Sequence, residues 1–76
     1  MQVQVLPFGQ IAEVTGAGKI LIDASDTDAL QRILIEKFPE LRNKKYAIAV
    51  NREVINENTL LPNNAEVALL PPYAGG

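Results

Sequence analysis

Residues 27–39, TDALQRILIEKFP, hold the clearest helical signature in the sequence, and it decides what the rest must provide. Leu30, Ile33, Leu34 and Phe38 fall at i, i+3, i+4 and i+8, one apolar stripe, with Gln31, Arg32, Glu36 and Lys37 on the opposite side. Thr27 is the expected cap of the orphan amides, and Asp28 puts negative charge at the positive end of the helix. Pro39 pushes Phe38 out of helical geometry and ends the element. A single striped helix needs a surface to lie on.

The remaining segments read as that surface. QVQVLPFG alternates, which predicts a strand over 2–8 with Val3 and Val5 on one face and Gln4, Leu6 and Phe8 on the other. KILIDA predicts a second strand over 19–24, YAIAVN a third over 46–51, REVI the start of a short fourth, and EVALL a fifth over 66–70 after a PNN turn at 62–64. Between the first two strands, GQIAEVTG sets Ile11, Ala12 and Val14 between two glycines, short enough for two helical turns over 9–16 closed by Gly16. The order ββαβββ, with one long helix across a mixed sheet, places the chain in the α+β class. The expected architecture is a ubiquitin-like β-grasp: a mixed sheet of about five strands, one main helix and a short additional helix.

Strand parity then sorts the apolar residues. Val3, Val5, Ile20, Ile22, Ile48, Val50, Val67 and Leu69 should pack beneath the helix stripe. Opposite parity sends Leu6, Phe8, Ala47, Ala49, Ala68 and Leu70 to the outer face, more apolar surface than a free monomer needs. These six are the candidate partner-binding residues, the small alanines letting a partner approach closely. An alternative is that the segment 9–16 covers part of this face.

Composition narrows the chemistry. The 76 residues, 47% hydrophobic, leave room for one modest core. The expected organisation is a domain over 1–70 and an extended, flexible tail over 71–76. With no cysteine and no histidine, disulfides, thiol nucleophiles, imidazole bases and the usual zinc or haem ligands are excluded, and no metal site is expected. Seven basic against nine acidic residues, with no basic stripe, argue against nucleic acid as a partner. No charged-then-apolar leader opens the sequence and no apolar run approaches the roughly 20 residues that span a bilayer, so the expected location is the cytoplasm, without a membrane partner. GAGK at 16–19 is no phosphate loop, because Glu13 and Ile20 stand where that motif needs Gly and Ser/Thr. Asp23, Asp26, Asp28, Glu53 and Glu57 cluster only where turns and helix starts place them, which is the pattern of solvated and capping carboxylates.

What remains unusual is LLPPYAGG at 69–76. An extended chain from Leu70 to Gly76 reaches at most about 20 Å beyond the sheet. Pro71 and Pro72 restrict it, Tyr73 is a possible anchor in a partner, and Ala74, Gly75 and Gly76 form a peptide slim enough for a narrow channel. The α-carboxylate of Gly76 is then the candidate reactive group. Ionised at neutral pH, it is a poor electrophile and needs activation, for which acyl phosphate chemistry supplies a leaving group.

VQVLPFGQIAEVTG, TDALQRILIEKFPEL, the AVN that follows and above all NNAEVALLPPYAGG resemble the small subunits of molybdopterin synthases, ubiquitin-like sulfur carriers, over essentially the whole chain. The resemblance implies that Gly76 is adenylated by an E1-like activating enzyme, converted to a thiocarboxylate and inserted into the synthase large subunit, with Gly75, Ala74 and Tyr73 serving passage. The sulfur then goes into the dithiolene of molybdopterin, made from a cyclic pyranopterin precursor. It further implies a heterotetramer with the large subunit, active-site residues on that subunit, and no cofactor bound by this chain, ATP being used by the activating partner. Two departures from the family pattern involve three residues: Leu69-Leu70 replace a common Phe-Phe, and Tyr73 replaces a small β-branched residue. These bear on partner specificity. A thiamin-pathway sulfur carrier, a β-grasp interaction module and a modifier ligated to lysines stay open as alternatives.

Overall fold

The computed structural model describes residues 2–71. Its elements are β1 (Gln2–Pro7), α1 (Gly9–Thr15), β2 (Ile20–Asp23), α2 (Thr27–Lys37), a 3-10 turn (Pro39–Asn43), β3 (Ala47–Val50), β4 (Glu53–Ile55) and β5 (Glu66–Leu70). The five strands form one mixed sheet in the order β2-β1-β5-β3-β4. The central strand β5 and its neighbour β1 run parallel with Gln4 opposite Glu66 and Pro7 opposite Leu69, and every other pairing is antiparallel. This is the expected α+β, ubiquitin-like β-grasp, with α2 on one face of the sheet.

Register explains why one face is the core. Ile20 and Ile22 of β2 oppose Val5 and Val3, Val5 opposes Val67, and Ile48 and Val50 oppose Leu69 and Val67. With Leu30 and Leu34 of α2 above them, all of these residues except Ile20 form a single buried cluster. Ile20, Ile33 and Phe38 are only partly buried against it, since they lie on the edge strand, the flank of the helix and its C-cap. The cluster also contains Ile11, Ala24, Leu41, Leu61 and Ala65, which strand parity and the helix stripe do not reach.

The strand over 2–8 ends at Pro7, because Phe8 is the N-cap of α1, although its amide still donates to the Leu69 carbonyl at 3.0 Å. Gly16 closes α1 with φ +90°, as its position predicts. Thr27 is not the cap of α2. Asp26 takes that place, its carboxylate accepting from the Ala29 amide at 2.9 Å, and Thr27 is the first helical residue. Between β3 and β4, Asn51 (φ +49°) and Arg52 (φ +74°) make a two-residue hairpin loop with both central residues left-handed. Asn51 ties that loop to β5, donating its amide to the Glu66 carbonyl at 2.7 Å and accepting from the Glu66 amide at 2.9 Å. The turn at 62–64 is present, closed by the Ala65 amide on the Pro62 carbonyl at 3.1 Å.

Candidate functional site

The sheet's second face faces away from α2, and its residues follow from the same registers. Leu6 stands opposite Ala68, Ala68 opposite Ala49, Ala49 opposite Val54, and Leu70 opposite Ala47. All six residues expected on the outer face therefore share a face or, for Phe8, its rim at the end of β1. Phe8 is 47% exposed, whereas Leu6, Ala47, Ala68 and Leu70 are half-buried. Ala49 is buried although it faces outward, because its methyl stands between Ala68 and Val54. The result is a shallow apolar floor with taller side chains at its edges.

Two residues enlarge this face beyond the expected set. Val54 on β4 is 59% exposed and Leu21 on β2 is 56% exposed, the latter opposite Gln4 and so on the far side of the face. Both have the outer parity of their short strands, which was the signal available in the sequence. The segment 9–16 does not cover the face. Ile11 of α1 joins the buried cluster with Leu41 of the 3-10 turn, so α1 closes the end of the core on the α2 side.

The last strand leads to the chain's distal end. β5 finishes at Leu70, and Pro71, exposed, lies against Gly9. The site residues Tyr73, Ala74, Gly75 and Gly76 lie outside the described residues, as does Pro72. Among the described residues, no group of three or more His, Cys, Asp or Glu side chains is placed to hold a metal ion. No helix among them is long and apolar enough to cross a membrane. An open cleft of about 420 Å³ beside the start of α2 is lined by Asp28, Gln31, Tyr46, Ile55 and Asn58 among others. Its amide acceptor is already engaged: Asn58 Oδ1 accepts from the Asp28 amide at 2.8 Å and from the Thr27 hydroxyl at 3.2 Å. The GAGK segment leads into β2, where a phosphate loop would lead into a helix.

The model of the ThiS family matches residues 5–76. The chain belongs to that family. Among similar proteins, the molybdopterin synthase sulfur carrier subunit of Caenorhabditis briggsae is 31% identical over 83 aligned positions, covering 100% of this chain and 99% of that one. A chain in the protein–protein complex of subunits 1 and 2 of molybdopterin-converting factor from Helicobacter pylori is 35% identical, with a TM-score of 0.77 and full coverage of both chains. The small archaeal modifier protein 1 of Methanosarcina acetivorans shares the fold at a TM-score of 0.83 with 22% identity, over 99% of this chain and 96% of that one. In this ThiS-family chain the outer face and the strand that leads to the Gly-Gly end are contiguous, because Ala68 and Leu70 belong to both.

Proposed function

We propose that this chain is the sulfur carrier subunit of a molybdopterin synthase. The observation that carries the reading is the 31% identity to a carrier subunit of that name over 100% of this chain and 99% of that one. In this reading Gly76 is the working residue. An E1-like enzyme in the cytoplasm joins its α-carboxylate to AMP at the expense of ATP, releasing pyrophosphate. A sulfur nucleophile then displaces AMP, leaving a thiocarboxylate. Gly75 and Ala74 let that end pass a narrow channel, Tyr73 anchors it, and the large subunit supplies the residues that move sulfur to the pyranopterin precursor. Each dithiolene takes two sulfurs, so two charged carriers are consumed per product. This chain binds no cofactor in the process.

The apolar outer face fits the same role. Leu6, Phe8, Ala47, Ala49, Ala68 and Leu70 would dock on the large subunit in a heterotetramer and, in turn, on the activating enzyme, because both partners must receive the same chain end at the same distance from the sheet. Reconstitution tests the reading: carrier thiocarboxylate made chemically is mixed with large subunit and precursor, and product is measured. The wild-type carrier should yield molybdopterin. The chain without Gly76 should bind the large subunit normally and yield none. Equal product from both would overturn the carrier reading and favour an interaction module.

A further inference from the structure

Three glycines among the described residues have positive φ, and only one of them is also closely packed. Around Gly16 and Gly18 an added Cβ would meet nothing within 4 Å, so those positions need glycine for backbone freedom alone. At Gly9, φ is +56° and an added Cβ would stand 2.7 Å from Pro71 Cγ, 3.7 Å from Cδ and 3.8 Å from Cβ. The contact falls where β1 and β5 part. Phe8 makes the last bond between them, to the Leu69 carbonyl, after which β1 turns into α1 and β5 runs on to Pro71. A pyrrolidine ring is closed onto its own backbone nitrogen, so beyond the small shift of Cγ that ring pucker allows it cannot swing aside as a long side chain would. Moving the ring moves the chain.

We propose that Gly9 is a positioning residue for sulfur transfer: its bare Cα seats the Pro71 ring and so sets the direction in which the chain leaves β5. The inference rests on the sulfur-carrier reading and adds to it a residue remote from the reacting atom in sequence. Its physical basis is that transfer needs the reacting carbon placed closely, and a misplacement of about 1 Å costs on the order of 100-fold in rate.

The test separates this role from a need for φ above zero. Asn tolerates the left-handed region but carries the Cβ that meets Pro71, whereas D-alanine favours that region and directs its methyl away from the ring. Carriers with Gly9→Asn and Gly9→D-Ala, made by chemical synthesis as thiocarboxylates, are compared in single-turnover transfer with large subunit and precursor, alongside denaturant midpoints and large-subunit affinity. Gly9→Asn should lose about 100-fold in transfer rate with affinity retained, and Gly9→D-Ala should match wild type. In a Pro71→Gly background, Asn and Gly at position 9 should transfer alike, because the ring they contest is gone. Transfer by Gly9→Asn at the wild-type rate overturns the proposal, and so does an undiminished Asn penalty in the Pro71→Gly background. If Gly9→Asn does not fold, the D-alanine variant decides, a loss of about tenfold or more in a folded chain counting against the seat. Failure of the wild-type thiocarboxylate to give product would instead strike the carrier reading itself.

Discussion

Thr27 is the one buried polar residue among the described residues, 1% exposed, and its hydroxyl stays there by making two bonds. It accepts from the Thr59 amide at 2.9 Å and donates to Asn58 Oδ1 at 3.2 Å, while its own amide donates to the Thr59 carbonyl at 2.9 Å. Loop 58–61 is thereby fastened to the start of α2. Thr27→Val keeps the shape but orphans the Thr59 amide, so it should lower stability by about 1–3 kcal/mol, and Thr27→Ser should recover most of that. Urea midpoints of the three proteins check the order. The sequence alone does not single out the cap, because Ser, Thr, Asp and Asn share that preference and DTD at 26–28 offers three candidates in a row. Only the distant Asn58 and Thr59 decide which is used. Tyr46 gives a second prediction, since burial holds its phenol above the usual 10.0. The folded state then keeps its proton where the unfolded state releases it, so stability is unaffected below about pH 10 and falls as pH rises beyond it. Tyr46→Phe should remove that part of the alkaline loss, visible as a smaller drop in denaturant midpoint than wild type shows across the same range.

At the scale of elements, the long helix and the sheet were legible because their periods are undisturbed. Leu30 and Leu34 are fully buried, as the stripe requires, and β5 spans 66–70 as its alternation predicts. The 3-10 turn after Pro39 was not legible. Five residues carry no period, yet Leu41 inside them is 1% exposed and joins Ile11 in closing the open end of the core. Leu61 escaped for the same reason: it lies in a loop and is buried because its amide donates to the Ser25 carbonyl at 2.9 Å, bringing it against the start of α2. Leu60, its neighbour, points out and is 77% exposed, a difference no local pattern announces. If the turn is a true part of the core, Leu41→Ala should cost about as much as Leu34→Ala, each about 2–5 kcal/mol, and Ile33→Ala should cost less. A midpoint for Leu41→Ala equal to wild type would show that the turn is an ornament on a core already closed.

For the whole molecule, the outer face of the sheet poses a question that exposure alone cannot answer. Phe8, Leu21, Val54 and Leu60 are all large, apolar and exposed, so a generally sticky surface and a specific docking face make the same inventory. They differ in position. Phe8 stands at the end of β1 beside Leu6 and near the start of the tail, whereas Leu60 lies opposite Asp26 at the N-cap of α2, away from that face. A partner that takes the chain end into its own active site should lean on the part of the sheet nearest to it. Phe8→Asp should therefore weaken large-subunit binding by about 2 kcal/mol or more, roughly 30-fold in Kd, as loss of an aromatic anchor does. Leu60→Asp should leave binding unchanged. Neither should move the urea midpoint much, since both side chains are already in contact with water. Titration calorimetry with the large subunit distinguishes the cases: equal losses for the two variants would mean nonspecific adhesion, and no loss for a folded Phe8→Asp protein would remove this face from the interface.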